Sequence, residues 1–130
     1  MPRWIPEAAI RAIHAELLVE HGGLDGPVNE DMLGATLARP QHLDTYTSPA
    51  ASLFQLAAAY GFGFAKNHCF KDGNKRISLA AMDVFLQMNG YELTAPEADA
   101  VIVIVALAAG DMSEDKLAHW LETNAAPLDK

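Results

Sequence analysis

Residues Ile77 to Met88 restrict the fold more than any other stretch of this sequence. On a helix, Ile77, Ala80, Ala81, Val84, Phe85 and Met88 fall on one side, and Leu79 and Leu86 on the other. A helix apolar on both sides is buried most of the way round. Other elements must enclose it, and because the rest of the chain reads as helices joined by short turns, the expected fold is all-α, a compact helical bundle around this buried central helix. Asn89-Gly90 would end the helix through a left-handed C-terminal cap.

The enclosing helices have their own signals. Pro6 suits a first helical turn, and Ile10, Ile13, Leu17 and Leu18 form an apolar stripe that ends at Gly22-Gly23. Asn29 is a good N-cap for a short helix through Met32, Leu33 and Leu37, stopped before Pro40. Ser48-Pro49 is a start signal for a third helix carrying Leu53, Phe54, Leu56, Ala57, Tyr60 and Phe64. A last helix is expected from about Ser113 through Leu117 and Trp120 to Leu121. Glu97–Ala109 is ambiguous. Val101 to Val105 favours strand by propensity, while thirteen residues with flanking alanines and Gly110 behind favour a buried helix.

With 130 residues, 1–130 is expected to form a single domain with one core. Half of the residues are hydrophobic, enough to fold without staples. A lone cysteine, Cys69, leaves no internal disulfide and no cysteine-based metal site, which suits a reducing cytoplasm. The opening Met1-Pro2-Arg3-Trp4-Ile5-Pro6 does not read as a signal peptide. The longest apolar run, Ala100 to Ala109, is far short of the roughly 20 residues of a membrane span.

The loop that feeds the central helix carries the chemistry. Asn67 to Arg76 holds a histidine, a carboxylate, a glycine, two amides and three cations in ten residues. The net charge of −8 argues against a general nucleic-acid binder. Yet four of the nine basic residues (Lys66, Lys71, Lys75, Arg76) fall within 66–76, with Asp72 as the sole acid there. The first N–H groups of a helix lack intrahelical partners and form an anion site. A positive island at such a site in an acidic protein suits a small anionic ligand such as ATP.

Each residue type has a use in phosphate chemistry. Asp72 offers a hard oxygen suited to Mg²⁺, alongside nucleotide phosphates, and at the same position it would serve as a helix cap. Gly73 lets the backbone come close to phosphate. Asn74 offers an amide donor, and Lys75 and Arg76 offset charge that shifts during transfer, Arg76 in bidentate fashion. His68 supplies a proton acceptor. His14, His21, His42 and His119 read as packed or solvated side chains. Phe70 reads as an apolar anchor of the loop, and Cys69 as a small buried residue, not a nucleophile.

His68-Cys69-Phe70-Lys71-Asp72-Gly73-Asn74-Lys75-Arg76 resembles the H-x-F-x-D/N-A/G-N-K-R signature of the Doc (death-on-curing) toxins, a branch of the Fic superfamily. The broader Fic pattern is H-P-F-x-D/E-G-N-G-R, so Lys75 at the second glycine position favours the Doc branch. His21-Gly22-Gly23-Leu24-Asp25-Gly26 resembles the Gly-Gly-Leu loop after that family's first helix, and the length fits a Doc-sized protein. Three features depart from the pattern: Cys69 after the histidine, Asn67 before it, and Ile77-Ser78 where Thr-Ala is usual. None removes a group that the chemistry needs.

The resemblance implies a Fic/Doc-type bundle, with Glu97–Ala109 as helix, the reading taken here. It implies a short β flap at Leu43–Thr47 that presents the target's backbone as an added strand. It implies His68 as the base that deprotonates a target hydroxyl, with ATP and Mg²⁺ as cofactors. The implied activity is transfer of ATP's terminal phosphate to a threonine of elongation factor Tu, which stops translation. A Fic-type AMP transferase is the alternative, and a non-catalytic partner-binding module the third reading. Lys75 would occupy space that glycine leaves for phosphates in the AMP-transfer pose. The sequence has no S/T-x-x-x-E-G/N inhibitory pattern. Inhibition in trans follows from the resemblance, by a small antitoxin whose C-terminal segment folds as a helix into a groove.

Overall fold

The computed structural model describes residues 2–47 and 49–128. Six helices follow one another: α1 (Glu7–His21), α2 (Glu30–Tyr46), α3 (Leu53–Asn67), α4 (Asn74–Met88), α5 (Glu97–Ala109) and α6 (Glu114–Thr123). Two three-residue strands, β1 (Tyr91–Leu93) and β2 (Ala125–Pro127), pair antiparallel with Glu92 opposite Ala126. The helical expectation holds, and Glu97–Ala109 is helix. Its β-branched run is overridden by burial of Val103, Ile104 and Leu107 on one helical face. Among the described residues no helix is long and apolar enough to cross a membrane.

The apolar helix is central, as its pattern requires. It packs on α1, α3, α5 and β1. Ile77, Ser78, Ala81, Met82, Phe85 and Leu86 are buried, and Leu79, Ala80, Val84 and Met88 are half-buried. One core cluster draws on every helix, from Ile10 in α1 and Leu33 in α2 to Leu107 in α5 and Leu117 in α6. Gly90, with φ 93°, provides the left-handed residue just past the α4 C-terminus.

The tightest crossing is between α3 and α4. Ser78 Oγ donates to the Gly61 carbonyl at 2.6 Å. A Cβ on Gly61 would lie 2.2 Å from the Met82 sulfur, itself fully buried. Gly61→Ala should therefore overpack the crossing and lower stability by about 1–3 kcal/mol, read as a lower urea midpoint. An unchanged midpoint would show that Met82 moves aside freely.

Three expectations are corrected. The second helix does not stop before Pro40 but runs through it to Tyr46. Proline removes one backbone bond and crowds the preceding turn. Here Pro40 is buried, and its neighbours hold the helix in place. Arg39 pairs with Glu114 of α6 and sits 5.4 Å over the Phe62 ring, and Thr47 N–H caps back to Leu43. Leu43–Tyr46 is consequently the last turn of α2, so the expected β flap is absent there. The short sheet lies elsewhere, at β1 and β2. The third helix begins at Leu53, not at Ser48-Pro49. Ser52 and Gln55 form a reciprocal capping box that outcompetes a bare Ser-Pro start. Ser48 itself lies outside the described residues.

Candidate active site

The loop between α3 and α4 is six residues long, His68 to Gly73, with a left-handed residue at each end. His68 caps the C-terminus of α3 at φ 48°, ψ 52°, the sole non-glycine with positive φ among the described residues. Histidine tolerates this region better than most residues, yet such a conformation costs on the order of 1–3 kcal/mol unless its surroundings hold it. It leaves the His68 side chain exposed while Cys69 and Phe70 turn into the core at 1% and 5% exposure.

Gly73 closes the loop as N-cap of α4, with φ 81°. A Cβ there would meet His14 Nε2 at 3.3 Å, so both backbone and space demand glycine. No side chain caps the first turn of α4. Its free N–H groups remain available to an anion.

Asn74 spans the loop. Its Nδ2 donates to the Phe70 carbonyl at 2.8 Å, and its Oδ1 accepts from the Phe70 N–H at 3.1 Å. The amide therefore clamps the loop, with one N–H left over for a ligand.

Asp72 does not cap α4. Its Oδ2 accepts from the Leu24 N–H at 3.1 Å and its Oδ1 from the Gly73 N–H at 2.9 Å. The Leu24 bond, then the Gly73 bond, hold its carboxyl below the usual carboxylate range, with the charges of Arg76 and His14 adding to them. The Gly22-Gly23-Leu24 loop thus grips the acid. A Cβ on Gly23 would sit 3.2 Å from Asp72 Oδ2, so the glycine allows that approach.

Two helices hold the loop from behind. From α1, the buried His14 stacks on Phe70 with ring centroids 3.7 Å apart, and its Nε2–H donates to the Asp72 carbonyl at 2.7 Å. From α2, the Asn29 N–H donates to the Cys69 carbonyl at 2.9 Å. The Cys69 thiol is buried, which raises its pKa against the lowering effect of a contact with Thr36. That suits a buried, inert thiol and not a nucleophile.

His68, Lys71, Asp72, Gly73, Asn74, Lys75 and Arg76 all line one open cleft of about 640 Å³. The structure therefore brings His68, Asp72, Gly73, Asn74, Lys75 and Arg76 to one cleft, while Lys66 and Asn67 do not line it. The opposite wall is apolar: Leu79 of α4 with Val101, Ile104, Val105 and Ala108 of α5. None of the ion pairs among the described residues engages Lys71, Lys75 or Arg76. The site is thus a cradle of uncommitted positive charge and free helix N–H groups, with an imidazole at its edge and an apolar side wall. Such an arrangement can hold phosphates and move a proton beside them.

This fold and this loop define a Fic/Doc protein, and the chain belongs to that family. The model described as "Fic/DOC family" matches residues 4–86, from the segment before α1 into the last turn of α4. The chain is 33% identical over 118 residues to "Protein kinase doc" of Escherichia phage P1, covering 89% of this chain and 90% of that protein. It is 41% identical over 64 residues to "Toxin Doc" of Mycolicibacterium smegmatis, which covers 49% of each.

In the sequence His14 reads as an ordinary histidine, and no motif marks Thr36 or the Leu24 amide. Nothing local marks them, since each meets the loop from a distant part of the chain. The α5 wall was visible only as a hydrophobic segment.

Proposed function

We propose that this chain is a Doc-type toxin that transfers the terminal phosphate of ATP to a Ser or Thr hydroxyl of a target protein. The observation that carries this reading is His68, held in a left-handed turn at the edge of a cleft that also presents an uncapped helix N-terminus, Lys75 and Arg76. In the proposed step, His68 accepts the proton of the target hydroxyl as its oxygen bonds to the γ-phosphorus. The bond from that phosphorus to the oxygen bridging to the β-phosphate breaks, and ADP leaves with the electron pair. The α4 N–H groups, Lys75 and Arg76 face charge that moves onto the bridging oxygen. Gly73 and Asn74 shape the loop that receives the phosphates, and Phe70 anchors it.

The donor set fits Mg²⁺. No group of three or more His, Cys, Asp or Glu side chains able to hold a metal exists among the described residues. Asp72 is exposed, and each of its oxygens accepts one backbone N–H, which leaves lone pairs for a cation. One carboxylate shared with nucleotide phosphates and water is the usual arrangement for this metal. Bound there, Mg²⁺ would offset phosphate charge.

The reading takes residues 1–130 as one domain, supported by a core cluster to which every helix contributes. It places the protein in the cytoplasm, where a threonine of elongation factor Tu is the proposed target. A small antitoxin with a helical C-terminal segment would restrain it in trans. The names of the two relatives, one a kinase and one a toxin, favour this reading.

Lys75 favours phosphate transfer over AMP transfer, because its side chain lines the cleft where the AMP-transferring pattern has glycine. The product decides. Antitoxin-free protein incubated with Mg-ATP and a bacterial lysate should add the mass of one phosphate group to a target, seen by mass spectrometry. A gain of one AMP would move the chain to the adenylyl-transferring class. No gain on any protein would favour a partner-binding module.

A further inference from the structure

Asn67 and Cys69 flank His68 and take no part in the step above. Both side chains end on the same atom. Asn67 Nδ2 donates to Thr36 Oγ1 at 2.8 Å, and Cys69 Sγ lies 3.4 Å from that oxygen. The Thr36 hydroxyl gives its own hydrogen to the Met32 carbonyl at 2.7 Å, one turn back in α2. A threonine hydroxyl has one hydrogen and two lone pairs. With its hydrogen committed to Met32, the lone pairs take the Asn67 N–H and the Cys69 S–H, and the hydroxyl is saturated.

Thr36 cannot turn away from this arrangement. It is fully buried, and its Cγ2 fills the space where a Cβ on Gly63 would come within 2.9 Å. The Asn29 N–H holds the Cys69 carbonyl in parallel. Helix α2 therefore fixes the residue before His68 and the residue after it. His68 is left between them, in the one left-handed non-glycine conformation among the described residues.

We propose that Thr36 is the positioning residue of His68: its hydroxyl, by binding Asn67 and Cys69 together, sets the backbone turn that aims the imidazole into the cleft. The hydrogen bonds of the Thr36 side chain go to Met32, Asn67 and Cys69 and not to His68 or to Asp72–Arg76, so it acts on His68 through Asn67 and Cys69. The proposal rests on the reading of His68 as the base. The geometric half can be measured without any activity.

Two variants separate the hydroxyl from the packing. Thr36→Val keeps the branched shape and removes the hydroxyl, and Thr36→Ser does the reverse. Thr36→Val should lower kcat for target modification by roughly 10- to 100-fold, the scale of a misplaced catalytic group. KM for Mg-ATP should stay within about twofold, because phosphate binding is untouched. Thr36→Ser should keep a kcat close to that of the parent.

In the same proteins, without nucleotide, the Cα shift and the three-bond HN–Hα coupling of His68 report its φ. They should lose the left-handed signature in Thr36→Val and keep it in Thr36→Ser. If Thr36→Val does not fold, Asn67→Leu removes one of the two ties at a half-buried position and should show the same pattern. A Thr36→Val or Asn67→Leu protein with the parent's His68 backbone signals would overturn the proposal. So would an equal loss of kcat in Thr36→Ser. Full activity in His68→Ala would instead remove the base reading, while the NMR signals still decide whether Thr36 sets the turn.

Discussion

His68→Ala is expected to abolish target modification in practice, with a loss of about 10²–10⁴ in rate, the usual contribution of a general base. The fold should not change. The side chain is exposed, so its removal opens no cavity in the core, and the extra left-handed strain of alanine falls on a single loop residue. Nucleotide affinity should also persist, because the proposed phosphate contacts are the α4 N-terminus, Lys75 and Arg76 and not His68. His68→Asn is the companion variant. Asparagine is among the residues most tolerant of left-handed backbone, so the turn is kept and only the base is lost. Both variants should fail alike in a single-turnover assay with Mg-ATP and target. If either modifies the target at the parent's rate, the proton has another acceptor.

The second large effect is expected at Arg76. Its guanidinium lines the cleft, is exposed, and enters none of the ion pairs among the described residues. A charged donor aimed at a transferring phosphoryl group costs about 10²–10³ in kcat when removed. Arg76→Ala should show a loss of that order. Arg76→Lys should recover part of it, since lysine restores the charge without the bidentate fork. The variant has a second signature. Arg76 is one of the groups that hold the Asp72 carboxyl low, so that carboxyl should titrate at higher pH in Arg76→Ala. The ties to Leu24 and Gly73 act first and should keep the rise small. A carboxyl-carbon NMR titration reads it. Unchanged kcat in Arg76→Ala would place the transferred phosphate away from the α4 N-terminus.

Residues that make the site by standing next to each other were legible in the sequence. His68 through Arg76 share one loop, and spacing alone carries them into one cleft. The central helix was legible for a related reason. Apolar residues on both of its sides can be satisfied only by neighbours all round, whatever those neighbours are.

Choices made by distant contacts were not legible. Pro40 is a stop signal by itself, and α2 continues where Pro40 is buried and Arg39 meets Glu114 and Phe62 on other helices. Ser48-Pro49 and Ser52 compete as start signals, and the reciprocal bond from Gln55 decides for Ser52. Leu43–Thr47 has strand-type side chains but forms the last turn and C-cap of a helix already propagated past the proline. His14 and Thr36 are ordinary members of helical faces until the fold brings the loop to them.

The grip of α1 and of the turn behind it on the loop before α4 has a further meaning for how the protein comes into being. His14 meets Asp72 across 58 residues of chain, and Leu24 meets it across 48. Helices α3 and α4 could form and pair with only the loop between them, but the loop would then lack both the stacked ring under Phe70 and the amide that holds Asp72. Contacts of such separation close late, because the chain entropy they cost must be met before they are rewarded. A partly folded chain would thus have its helices and yet no ordered cradle. The capacity to modify a target would arrive with the last docking event, as a property of the finished tertiary structure and not of the motif.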